Sequence, residues 1–153
     1  MQIVDVPLRS LRKMVVVVDD DDDLRCVTLA VLEQAGLEAI GCGDIATALA
    51  LLNGLVPDVV LLDRDLPDGS GLDFARWMRH RPIYDGVRIV GFSGGSTPWE
   101  VASSLAAGCD AFVGKPCSPA ALMRAIHAAS DRRRRRSTPT GVRRVVRSAT
   151  PDR

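Results

Sequence analysis

The chain has 153 residues, 46% of them hydrophobic, and a net charge of +1. That composition suits one domain with a real core, and no apolar run approaches the roughly 18 residues that span a bilayer. The charge is uneven: residues 131–153 hold nine Arg against two Asp, a local +7 that leaves −6 on the rest, so an acidic domain carries a basic end.

Residues 1–13 show no clean period and read as a loose leader. Residues 15–18, four valines in a row, read as a strand covered on both faces. Five aspartates, Asp19 to Asp23, follow without interruption. Helical spacing starts at Leu24 and runs to Ala35, where Gly36 stops it, and an Asp near position 22 suits the cap. A short strand is predicted over 37–42. Asp44 caps a helix over 45–52, and Pro57-Asp58 leads into the strand 59–62.

After that strand comes Asp63-Arg64-Asp65-Leu66-Pro67-Asp68-Gly69-Ser70-Gly71, a turn-rich stretch. A helix follows to about Arg79. Residues 87–92 form a fourth strand. Thr97-Pro98-Trp99-Glu100 is a capping box with Pro at the first helical position, and its helix ends at Gly108. A fifth strand spans 111–113. Ser118-Pro119 opens a last helix with Leu122, Ala125, Ile126 and Ala129 on its apolar face.

Five strands alternating with five helices predict an α/β fold, a doubly wound five-stranded parallel sheet of flavodoxin-like order 2-1-3-4-5. In that order Asp19, Asp20, Asp63, Ser93 and Lys115 all stand at the carboxyl edge of the sheet, where such folds place their ligands. Clustered carboxylates repel one another, and an all-oxygen set suits Mg²⁺. A lysine adds a fixed positive charge, and Ser93 with Gly94 and Gly95 adds a hydroxyl and close backbone approach. The set describes a site for a metal-bound phosphoryl group with an Asp nucleophile. Taken singly, each motif is an ordinary cap, turn or solvated charge run. The four cysteines, Cys26, Cys42, Cys109 and Cys117, lack metal-ligand spacing and read as reduced thiols of a cytoplasmic protein.

Over residues 14–130 the chain resembles the receiver domain of two-component response regulators, of the single-domain chemotaxis-regulator type. The matching pieces are Val-Val-Asp19-Asp20, Leu-Leu-Asp63-Arg-Asp-Leu-Pro-Asp-Gly-Ser-Gly71, Phe-Ser93-Gly-Gly and Lys115-Pro116. The resemblance implies that Asp63 accepts a phosphoryl group from a histidine kinase or phosphotransfer protein. It implies that Asp19 and Asp20 hold Mg²⁺ with Asp63, and that Asp65 lends a backbone carbonyl. Ser93 would turn toward the phosphoryl group, Lys115 would contact it, and Phe112 would reorient with Ser93. The output would be a changed protein contact on the face of the fourth helix, fifth strand and fifth helix.

Phe112 stands where the family often has Tyr, and Gly94 where it usually has Ala. Asp65 and Gly95 occupy positions that tune phosphoryl lifetime in the family. Arg64 has no assigned role. The expectation is a stand-alone regulator, not a turnover enzyme. Two rivals remain: a receiver-like binding module that is never phosphorylated, and a haloacid-dehalogenase-type phosphohydrolase suggested by Asp63-x-Asp65. Residues 131–153 read as a disordered Arg-rich tail. Nucleic-acid binding through it is a weaker expectation than a solvated tail, because about 22 residues carry no output domain.

Overall fold

The structure is a computed structural model that describes residues 12–137, with side chains through Asp131. Strand β1 (Met14–Val18) is followed by α1 (Asp22–Gln34), β2 (Glu38–Cys42), α2 (Ile45–Leu52) and β3 (Val59–Leu62). Next come α3 (Gly71–Arg79), β4 (Arg88–Ser93), α4 (Pro98–Ala107), β5 (Ala111–Gly114) and α5 (Pro119–Ser137). The strands form one sheet in the order β2-β1-β3-β4-β5, each neighbouring pair parallel. The predicted order and helix number are therefore both found.

The valine run explains why β1 is central. Alternate side chains of a strand point to opposite faces. Val15 and Val17 pack with Leu32 of α1 and Leu122, Ile126 and Ala129 of α5. Val16 and Val18 pack with Ala48 and Leu52 of α2 and Phe74, Ala75 and Met78 of α3. All four valines are fully buried, each worth about 1.5–3 kcal/mol of burial. The register places Val18 beside both Cys42 and Leu62, so β1, β2 and β3 end level with one another. That alignment sets Asp19 and Asp63 side by side.

Three features went unread in the sequence. A two-residue antiparallel ribbon pairs Asp65–Leu66 with Gly69–Ser70 inside the turn-rich stretch. A 3₁₀ turn spans Pro82–Tyr84. A buried linchpin joins α3 to the sheet: Arg79 donates to the carbonyls of Gly108, Tyr84 and Val87 and to Asp110, whose carboxylate also accepts the Ile89 N–H.

The disordered tail is expected to start at Asp131, but residues 131–137 are helical. The backbone of α5 stays helical to Ser137, because the helix already docked on the sheet propagates cheaply past its last core residue, Ala129. The rest of the Arg-rich segment and residues 1–11 of the expected leader lie outside the described residues. Lys13 is tied to β2, its carbonyl accepting the Glu38 N–H at 2.9 Å. Among the described residues no helix is long and apolar enough to cross a membrane.

Candidate functional site

The five-aspartate run divides by geometry. Asp19 is completely buried at the end of β1, while Asp20 is exposed. Asp21 is the N-cap of α1, its carboxylate accepting the Leu24 N–H at 3.0 Å. Asp22 and Asp23 occupy the first turn, where negative charge suits the helix dipole, and Asp22 pairs with Arg25 at 2.6 Å. Only the first two aspartates are left for the sheet edge.

Asp63 lies at the end of β3 with 8% of its surface exposed. One carboxylate oxygen each of Asp19, Asp20 and Asp63 lies within 4.8 Å of the other two. Lys115, just past β5, reaches into this group. Its Nζ donates to Asp19 Oδ2 at 2.6 Å and to Asp63 Oδ2 at 3.0 Å. The other Asp19 oxygen accepts the Asp21 N–H at 3.0 Å, which locks that carboxylate. Lys115 is held in turn by its own N–H on the Ser93 carbonyl at 2.8 Å, and its peptide with Pro116 is cis.

Burial pushes the Asp63 carboxyl above its ordinary range, the Asp19 charge adds to this, and the bond from Lys115 opposes it. Burial by itself would lower Lys115, but its bonds to Asp19 and Asp63 outweigh that and raise it. The lysine therefore holds its charge to higher pH than a free one. Three carboxylates and one ammonium leave a net −2 in a recess of the sheet edge. Oxygen donors of that charge suit a hard dication such as Mg²⁺.

The remaining expected residues cluster less tightly. Ser93 is buried at the end of β4. Phe112 is half-buried on β5 and lies against Gly91, where an added Cβ would come 2.9 Å from the ring. Both line one small cavity of about 10 Å³ with Asp63, Arg64 and Cys109, space for about one water. Asp65 sits in the ribbon with its side chain exposed, outside the carboxylate group.

Several supporting residues had no clear sequence signal. Arg25 donates to the Asp19 carbonyl at 2.6 Å and packs its stem over Gly41, so a helix residue holds the metal-side loop from below. Asp68, in the turn-rich stretch, accepts the N–H groups of both Ile45 and Ala46 at 2.9 Å. With Asp44 on Thr47, it caps α2 from a segment more than twenty residues away. Gly71 donates to the Arg64 carbonyl at 2.7 Å, and any Cβ on it would strike the Asp63 backbone. A Gly opening a helix was visible in sequence, but not what it leaves room for.

Comparison with known proteins agrees with this geometry. The phosphate regulon transcriptional regulatory protein PhoB of Escherichia coli is 30% identical over 132 residues, 86% of this chain and 56% of that protein. The DNA-binding response regulator MtrA of Mycolicibacterium smegmatis is 34% identical over 119 residues, 78% of this chain and 51% of that protein. This chain thus spans about half the length of the curated relatives it matches. A CheY-like response regulator receiver domain protein from Methanospirillum hungatei superposes with a TM-score of 0.71 at 27% identity, covering 82% of this chain and 98% of that one. Residues 15–127 match the response regulator receiver domain family, which leaves the phosphohydrolase alternative without support. On that match, and on an acidic pocket formed by Asp19, Asp20 and Asp63, the chain belongs to the response regulator receiver domains, phosphoacceptor signalling modules of two-component systems rather than turnover enzymes.

Proposed function

We propose that Asp63 is the phosphoacceptor of a stand-alone cytoplasmic regulator that takes a phosphoryl group from a histidine kinase or a phosphotransfer protein. The observation that carries this reading is the Lys115 ammonium shared between Asp19 and Asp63 beside a three-carboxylate group. It fixes the Asp63 carboxylate through Oδ2.

In the reaction a carboxylate oxygen of Asp63 attacks phosphorus. The bond from phosphorus to the donor nitrogen breaks, and the electron pair stays with the imidazole. Bound Mg²⁺ would neutralise charge on the transferring group. Asp19 and Asp20 would hold it with Asp63 and the Asp65 carbonyl. Lys115 stays charged throughout and offsets the added negative charge. The Ser93 hydroxyl, at the adjacent strand end, turns toward the new oxygens, and Phe112 reorients with it. The result is a changed contact surface on α4, β5 and α5 for a downstream protein.

The test is incubation with acetyl phosphate and Mg²⁺ followed by intact mass. Wild type gains one phosphoryl mass, and Asp63→Asn gains none. An equal gain on Asp63→Asn, or none on wild type, refutes the assignment. The binding-module rival predicts instead that Asp63→Asn leaves partner binding unchanged.

A further inference from the structure

Arg64 directly follows the proposed acceptor, and its surroundings are unusual for an arginine. Its guanidinium lies over the Trp99 ring, 5.0 Å from the centroid. Its Nη1 is buried and has no hydrogen-bond acceptor in reach. The nearest anion, Glu100 Oε1, is 3.8 Å away, too far for a hydrogen bond. Glu100 does not turn to meet it, because its other oxygen accepts from the Thr97 N–H and hydroxyl at 3.0 and 2.8 Å in the capping box of α4.

The Glu100 carboxylate lies over Gly95, where a Cβ would fall on it. Arg64, Gly95, Trp99 and Glu100 therefore form one junction. It joins the loop after β3, the loop after β4 and the first turn of α4. Trp99 is 68% exposed, so its free face looks outward at the surface expected to change.

A buried N–H without an acceptor is a costly arrangement and calls for an explanation. Phosphorylation at the neighbouring residue would deliver strong acceptor oxygens and added negative charge, which a planar guanidinium can take in pairs.

We propose that Arg64 binds the phosphoryl group on Asp63 and so transmits its state to α4. In the unmodified protein its guanidinium rests on Trp99 and beside Glu100. In the phosphorylated protein it leaves them for the phosphoryl oxygens and frees Trp99 and the first turn of α4. This rests on the phosphoacceptor reading above.

The chain has two tryptophans, so Trp77→Phe leaves Trp99 as the sole reporter. Emission and acrylamide quenching are read before and after acetyl phosphate and Mg²⁺, with intact mass on the same sample. The expected result is a red shift and stronger quenching of Trp99 that accompany the mass gain. Adding Arg64→Met loses the optical change per phosphorylated molecule, the phosphorylated fraction being read by intact mass, and Arg64→Lys restores part of it. A mass gain with unchanged Trp99, or an equal change in the Met variant, overturns the role of Arg64 and leaves the acceptor reading standing. No mass gain on the wild-type chain overturns both. Should Trp77→Phe fail to fold, ¹⁹F NMR of the 5-fluorotryptophan-labelled chain reads Trp99 directly, and its resonance must move with Arg64 present and stay with Met.

Discussion

Gly71→Ala separates a steric requirement from helix propensity. Gly71 is the first residue of α3, and its φ is not in the left-handed region, so by propensity alone Ala should improve the helix by up to about 1 kcal/mol. The structure reverses the sign. A Cβ there would lie 2.9 Å from the Asp63 carbonyl carbon and 3.2 Å from the Arg64 Cα, and closer still to the Asp63 carbonyl oxygen. Carbon atoms pack best at about 3.5–4.0 Å, so the backbone carrying the acceptor must retreat by about 0.6 Å or more. The obstacle is backbone, which cannot rotate away. Overpacking of this kind costs about 1–3 kcal/mol. Lengthening the Gly71 to Arg64 hydrogen bond, now 2.7 Å, adds about 0.5–1.5 kcal/mol.

After subtracting the propensity gain, Gly71→Ala should destabilise by about 0.5–3.5 kcal/mol in urea unfolding. Because the shift falls on Asp63, phosphoryl uptake should slow by up to about 100-fold. Gly86→Ala is the control, since nothing lies within 4 Å of its Cβ position and its φ is ordinary. It should be neutral or gain about 0.4–1 kcal/mol. A Gly71→Ala protein as stable as the Gly86 variant, with wild-type uptake, would refute the steric reasoning.

Three further outcomes are expected. Arg79→Met removes the guanidinium bonded to the Asp110 carboxylate, 1% exposed, and to the Gly108, Tyr84 and Val87 carbonyls, and should cost about 3–5 kcal/mol in denaturant unfolding; a loss below about 1 kcal/mol would mean the network is marginal. Lys115→Met should lower stability by about 2–3 kcal/mol, less than for a fully buried pair because the Asp20 side is open, and Mg²⁺ should recover part of the loss. Since the Lys115 pKa is raised by folding, its contribution is fully present below about 10.5 and fades as pH rises through the folded value; a wild-type stability gap over Lys115→Met that does not narrow as pH rises from about 9 past about 11 would contradict the sign. Alkylation with iodoacetamide at pH 8 should label exposed Cys26 first and half-buried Cys117 slowly. Cys42 and Cys109 should react only after unfolding, because both are buried and burial pushes the Cys109 thiol up to about 12. Peptide mapping by mass spectrometry reads the order, and early labelling of Cys109 would contradict its packing.

Most of the architecture was legible before any coordinates. The run Val15 to Val18 announces a strand buried on both faces, and the Thr97-Pro98-Trp99-Glu100 box marks a helix start to the residue. These are local signals, set by side-chain shape and by backbone groups within one turn. The chemistry at the strand ends was legible for the same reason: alternation implies a parallel sheet, and a parallel sheet collects its carboxyl ends at one edge.

Tertiary structure decided everything that depends on residues far apart in the chain. Five consecutive aspartates look alike in sequence, but only the ends of β1 and β3 lying level make Asp19 a partner of Lys115 while Asp21 becomes a cap. Asp68 reads as a turn residue until α2 is brought beneath it. Gly71 reads as a weak helix opener until the Asp63 carbonyl is found where its side chain would be. Arg64 carried no signal at all, because its meaning comes from Trp99 and Glu100 across a loop-to-helix contact. Periodicity and capping are written in neighbouring residues and survive without the fold. Charge pairing, close approach and unpaired polar groups exist only where packing brings distant residues within a few ångströms.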